Sequence, residues 1–161
     1  MPDVLWVPLA SALLVAIAGG AGLATGNVWL FPSLGPTAVA QAHSPGDRSN
    51  SLRSVVLGHL LGLAAGHAGV FLAGAAVDPP VLAGGQLTGA RVLAAILAVV
   101  LTALSQIALR ASHPPAAATT LLVALGAFPP TLQGALHVVV GVLVVGLPGE
   151  ALRRIRARSP R

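Results

Sequence analysis

Four stretches of this chain, roughly residues 5–25, 54–77, 87–109 and 131–148, are apolar over or close to the length of a membrane span and nearly free of charge. A bilayer core about 30 Å thick is crossed by about 20 such residues in a helix. Hydrocarbon offers the backbone N–H and C=O groups no partner, so a spanning chain must satisfy them within helices or a closed barrel. Long apolar runs without alternation select helices. The remaining composition agrees: 55% of residues are hydrophobic and 8% charged, against roughly 25% charged in a soluble domain. Such a chain could not cover a water-facing surface. The expected fold class is an all-α integral membrane protein, with residues 1–161 as a single transmembrane domain and the lipid bilayer as its first partner.

Two further apolar segments are too short for an ordinary span. They are "NVWLFPSLGPTAVAQ", residues 27–41, and "SHPPAAATTLLVALGAF", residues 112–128, each broken by proline on its N-terminal side. Proline suits the first turn of a helix, where its missing N–H would be unpaired anyway. Pro36 and Pro115 therefore read as helix starts, leading into the short helices TAVAQA and AAATTLLVALG. The order long helix, proline-broken short segment, long helix occurs twice. A shift of 79 positions sets Ser33 on Ser112, Pro36 on Pro115 and Gly62 on Gly141. The expected organisation is one repeat over about 5–77, a turn-rich linker at 78–86, a second repeat over about 87–148 and an Arg-rich cytoplasmic tail at 149–161.

Arginine placement bears on topology, because basic residues concentrate on the cytoplasmic side. If the short segments cross the membrane, the N-terminus, Arg48, Arg53, Arg110 and the tail share one side, and Arg91 alone dissents. If the segments dip in and return, the loop with Arg48 and Arg53 faces away from the tail. Crossing is preferred, and it makes the two repeats inverted. Both termini are cytoplasmic in either case, in what reads as a bacterial inner membrane. The N-terminal stretch has Asp3 and no basic residue before its apolar run, which is wrong for a secretory signal. It is expected to be a retained first helix.

A helix start carries about half a positive charge and several free N–H donors. Two such starts near mid-membrane would favour an anion, and inverted repeats with broken helices are a recurring transporter design. The candidate substrate-binding residues follow: Ser33, Gly35, Pro36 and Thr37 in the first half, and Ser112, His113, Pro114, Pro115, Ala116, Thr119 and Thr120 in the second. His113 either adds a proton to this site or bonds a carbonyl freed by the prolines and locks the turn. Gly58, Gly62 and Gly66, at four-residue spacing, read as a packing seam. His59 shares their helix and is a candidate for lining the pathway. His67 and His137 either line it too or donate hydrogen bonds between helices, and His43 is expected to be solvated.

Other chemistry is missing from the sequence. The acids are Asp3, Asp47, Asp78 and Glu150, all near predicted ends or loops, so no carboxylate pair serves hydrolysis. There is no cysteine, no HExxH spacing and no Walker loop. The expectation is a non-enzyme with no cofactor, no metal and no nucleic-acid partner, since the arginines crowd one tail. The apolar surface and glycine seams suggest a homo-oligomer.

"SHPPAAATTLL" resembles the signature of the HPP family of integral membrane proteins, named for the tripeptide that is here His113-Pro114-Pro115. "FPSLGPTAVAQAHSPGDRSNSLRSVVLGHLLG", residues 31–62, is similar to that family's upstream region. The resemblance runs from about residue 25 to 145. It implies a four-helix membrane protein and a small-anion transporter, with nitrite as the anion associated with plastid and cyanobacterial members. A pore for small neutral solutes and a non-transporting subunit or sensor are the alternatives.

Overall fold

The structure, a computed structural model, describes residues 2–158. Six α-helices follow one another: α1 Asp3–Thr25, α2 Leu34–His43, α3 Leu52–Leu72, α4 Gly89–Ala108, α5 Ala116–Ala124 and α6 Leu132–Arg158. Four of them, α1, α3, α4 and α6, are long and apolar enough to cross a membrane. There is no strand among the described residues. At ~1.5 Å per residue, α2 and α5 reach about half the ~30 Å core.

Local chemistry sets several boundaries. The Ser51 hydroxyl accepts from Ser54 N–H to cap α3, and Thr88 accepts from Arg91 N–H to cap α4. Gly26, at φ 66°, closes α1 in the left-handed conformation that a residue without Cβ adopts freely.

Three expectations are corrected. Helix α2 begins at Leu34, so Pro36 is its third residue and not its start, whereas Pro115 does immediately precede α5. The first-turn N–H groups of any helix are unpaired within it, so proline is tolerated at any of those positions and cannot fix the register. Counted from the helix starts, Thr37 and Thr119 are equivalent, each the fourth residue of its short helix. The third correction concerns the last long helix, expected to end at about residue 148. Helix α6 runs through Pro148 to Arg158, because Glu150 and Arg153 tie that stretch to the rest of the chain. Residues 159–161 of the tail, Arg161 among them, lie outside the described residues.

Helix α3 packs on α4, α5 and α6; α6 packs on α1, α2 and α3; α1 packs on α2, and α4 on α5. The core between them contains Leu14, Phe31, Leu34, Val55, Leu63, Val123, Val138, Val142 and Val145. Helix α4 is built inside out relative to a soluble helix. It buries Arg91, Ala94, Ala98, Thr102 and Gln106 and exposes Ile96, Leu104 and Ile107. Lipid contact on the outward face is the arrangement that makes this favourable, since hydrocarbon solvates leucine and isoleucine but not glutamine or arginine.

The two ends of the molecule differ in charge. At one end Arg156 pairs with Asp3 at 2.5 Å, and Arg153 donates to Pro45 O at 2.5 Å. Trp6 Nε1 donates to Ala42 O there, and Arg53 donates to the carbonyls of Leu109 and Arg110. At the other end Arg91 donates to the carbonyls of Asp78 and Ala124. Arg91 is the lone arginine of that end among the described residues.

Candidate functional site

The glycine seam decides where the second short helix sits. A Cβ on Gly58 would lie 2.7 Å from His113 Cβ, one on Gly62 2.8 Å from Thr120 Oγ1, and one on Gly66 2.6 Å from Val123 Cβ. None of these approaches is open to a larger residue. Helix α5 therefore lies directly on the α3 backbone, running in the same direction, and His113, three residues before its start, is pressed against the α3 turn that carries His59.

Around that contact six polar groups form one connected chain, and five of them are side chains with no solvent exposure. Ser33 Oγ lies 2.7 Å from Thr119 Oγ1, and Thr119 Oγ1 lies 2.7 Å from His59 Nδ1. His59 Nε2 lies 3.0 Å from Thr37 Oγ1, and Thr37 Oγ1 lies 3.1 Å from His113 Nε2. His113 Nδ1 reaches the Ser49 carbonyl at 2.8 Å. The two imidazole rings are 5.3 Å apart between centroids. His59 thus stands between the fourth residues of both short helices.

With both rings neutral and the single Thr37 hydrogen given to His113 instead of the Ser33 carbonyl, one proton order runs through the chain. The Ser49 carbonyl can only accept, so His113 Nδ1 carries the hydrogen. In the neutral ring Nε2 then accepts, and Thr37 donates to it. The Thr37 oxygen accepts from His59 Nε2–H, which leaves His59 Nδ1 to accept from Thr119, and Thr119 to accept from Ser33. Every bond points the same way, and the two histidines hold opposite tautomers. Thr37 Oγ1 also lies 3.1 Å from its own helix's Ser33 carbonyl. A proton added to His113 Nε2 turns that atom into a donor and sends the Thr37 hydroxyl hydrogen to the carbonyl instead.

A second set of bonds holds the first in place. Gln106 Oε1 accepts from His113 N–H at 3.1 Å while its Nε2 donates to Gly58 O at 3.4 Å. Thr102 and Thr120 share a bond of 2.8 Å, and Thr120 also donates to Ala116 O. Gln106 and Thr102 were missed in the sequence reading. The signal that could have found them is their four-residue spacing within an apolar span, which puts two polar groups on one face.

The remaining candidates divide cleanly. Ser33, Thr37, His59, His113 and Thr119 are brought together, with Thr120 and Ala116 beside them and buried. Gly35 is half-buried with open space around its Cα hydrogens. Ser112, Pro36 and Pro114 are exposed and Pro115 is half-buried. Pro36, Pro114 and Pro115 line an open surface hollow instead, with Ser49 and Asn50. Ser112 is not the structural partner of Ser33, because the register of the short helices differs from the sequence shift. The free N–H donors expected at the α5 start are also occupied: Ala116, Ala117 and Ala118 donate back to the carbonyls of His113, Pro114 and Pro115. Among the described residues His67 and His137 do not bond between helices; each Nδ1 meets a carbonyl of its own helix, Leu63 and Gln133 respectively. His43 is exposed, as expected.

The family model described as "HPP, transmembrane region" matches residues 1–159. The chain belongs to the HPP transmembrane family. Its name-giving tripeptide therefore has a location in this structure: the histidine is buried in the polar chain, the first proline is exposed, and the second stands immediately before α5. No curated protein and no solved structure matches the chain. This HPP protein is an integral membrane protein by its family and its four apolar spans.

Proposed function

We propose that this protein is a transporter or channel for a small monovalent anion, with nitrite the first candidate, and that the anion passes where the first turns of α2 and α5 meet. One observation carries the reading. His59 is bonded at its two nitrogens to Thr37 and Thr119, so hydroxyls from both short helices converge on one buried point. Buried polar groups in a membrane protein are costly and mark pathways by default.

The arrangement also supports two inverted repeats. Exchanging α1, α2 and α3 for α4, α5 and α6 leaves the pattern of packed neighbours unchanged. In this reading α2 and α5 complete a crossing with the extended residues before them. Six crossings then put both termini, Arg48, Arg53 and Arg110 on the cytoplasmic side of a bacterial inner membrane. The two short helices point their starts at the polar chain from opposite directions, and the positive ends of both dipoles favour negative charge there.

An anion entering this point replaces the Ser33–Thr119 bond and takes the Ser33 hydroxyl hydrogen; the Thr119 hydrogen, given to His59 Nδ1, joins it only if that second bond is also given up. Backbone donors of α5 follow only if its first turn loosens. No lysine, arginine or carboxylate belongs to the polar chain, so attraction is moderate, as conduction requires. A proton arriving with the anion is accommodated by the reversal at Thr37.

Flux measured in proteoliposomes with nitrite, nitrate, formate, chloride and a neutral solute such as glycerol tests the reading. Selective anion flux that falls at least tenfold in Thr37→Val is expected. Equal glycerol and anion flux would favour a neutral-solute pore, and no flux of any kind would remove the transport reading.

A further inference from the structure

Arg91 is at the end of the molecule away from the polar chain's Ser49 terminus, and its surroundings are unusual for a charge. It is 4% exposed. Its guanidinium donates to Ala124 O at 2.9 Å and to Asp78 O at 2.6 Å, and it forms no ion pair among the described residues. Its Nε–H has no hydrogen-bond partner among the described residues. His67, on α3, has its Nδ1 committed to the Leu63 carbonyl, while its buried Nε2 likewise has no partner among the described residues. Both side chains line one cavity of about 190 Å³, together with Asp78, Gly126 and Phe128. The Asp78 carboxylate is engaged by the Thr88 hydroxyl. Gly126 makes room for the guanidinium: a Cβ there would lie 3.0 Å from Arg91 Nη2, and its φ of 85° excludes most other residues.

A buried guanidinium paired only with neutral carbonyls retains its charge and attracts an anion. A lone buried donor in such a setting costs free energy that a ligand recovers. The cavity has room for several waters at ~30 Å³ each, and hence for an anion of three or four heavy atoms. We infer that this cavity is a second small-oxyanion site, in which Arg91 holds the anion and His67 supplies the one proton that accompanies it. This rests on the proposed function for the class of ligand. The proton follows from His67 itself: with Nδ1–H fixed on a carbonyl, the neutral ring offers only a lone pair at Nε2. An anion beside it is held either by a protonated ring or in its own protonated form. The other titratable groups lining the cavity are Asp78 and Arg91. Arg91 lies on the face opposite the remaining described arginines, so the site would serve anions arriving from that side.

The test uses the full chain in detergent, with sodium nitrite as the probe and sodium gluconate as the ionic control. The midpoint of nitrite-dependent thermal stabilisation is read at several pH values. Wild type should show saturable stabilisation that tightens as pH falls, by up to tenfold per unit. Arg91→Lys, which keeps the charge but loses the fixed fork, should raise the midpoint at least tenfold. His67→Gln should remove the pH dependence. Arg91→Lys that lowers the melting temperature without moving the midpoint makes Arg91 a structural staple and overturns the inference, as does unchanged pH dependence in His67→Gln. Wild-type flux with no effect of either variant overturns this site alone. Absence of both wild-type flux and stabilisation overturns the anion reading with it.

Discussion

Gly62→Ala isolates the contact on which the polar chain depends. A Cβ at Gly62 would stand 2.8 Å from Thr120 Oγ1 and 2.9 Å from Ala116 O, where ordinary contacts begin at 3.4 Å. The second of these neighbours is backbone and cannot rotate aside. Relief requires α3 and α5 to separate by 0.5 to 0.6 Å, the differences 3.4 − 2.9 and 3.4 − 2.8. Overpacking of this kind costs about 1–3 kcal/mol. The same movement stretches the His59–Thr119 bond, which spans the two helices, from 2.7 Å toward about 3.3 Å, well beyond the usual length for a hydroxyl donor. Thermal unfolding in detergent should report the first effect and proteoliposome flux the second, with flux reduced more than stability alone explains. Gly20→Ala is the control, since a Cβ on Gly20 meets nothing within 4 Å; it should leave stability within about 1 kcal/mol and flux intact. If Gly62→Ala behaves like Gly20→Ala in both assays, the close docking of α5 on α3 is not what holds the site.

His113→Gln keeps hydrogen-bonding capacity but cannot titrate, so flux should persist while losing the pH dependence that His113 confers, measured as pH is lowered from about 8 to the acid limit of the proteoliposomes. Unchanged pH dependence would make His113 a lock on the turn. Glu150→Ala strips the acceptor from Leu52 N–H at the α3 start and from Arg153. A loss of about 2–4 kcal/mol is expected from the partners left behind, read as a lowered melting temperature. The chain has no native cysteine, so Gln86→Cys, at an exposed position, gives a clean topology probe. Impermeant thiol reagent should reach it from outside the cell, and protection there would refute six crossings.

Much of the architecture was legible because the bilayer simplifies the problem. Runs of apolar residues must be helices where water is absent, and the long ones appear within a few residues of the expected bounds, apart from the longer α6 and the earlier end of α3. The short helices were legible from their prolines, and Thr37, Thr119, His59 and His113 were singled out because polar side chains inside apolar segments are conspicuous. Their mutual geometry was not. Proline marks a first turn without saying which position in it, so the equivalence of Thr37 and Thr119 is visible only once both helix starts are known. Gln106 supports His113 across seven residues of chain, and Ser49 meets it across 64, distances that local pattern does not encode. Arg91 shows the same division. The sequence marked it as the arginine that breaks the positive-inside pattern, which is a statement about composition along the chain. That it is buried, held by two carbonyls from separate segments and left with an unpaired N–H, was decided by how α5 and the loop before α4 fold over it. Periodicity and charge count are properties of neighbours in sequence. Who accepts whose hydrogen is a property of neighbours in space.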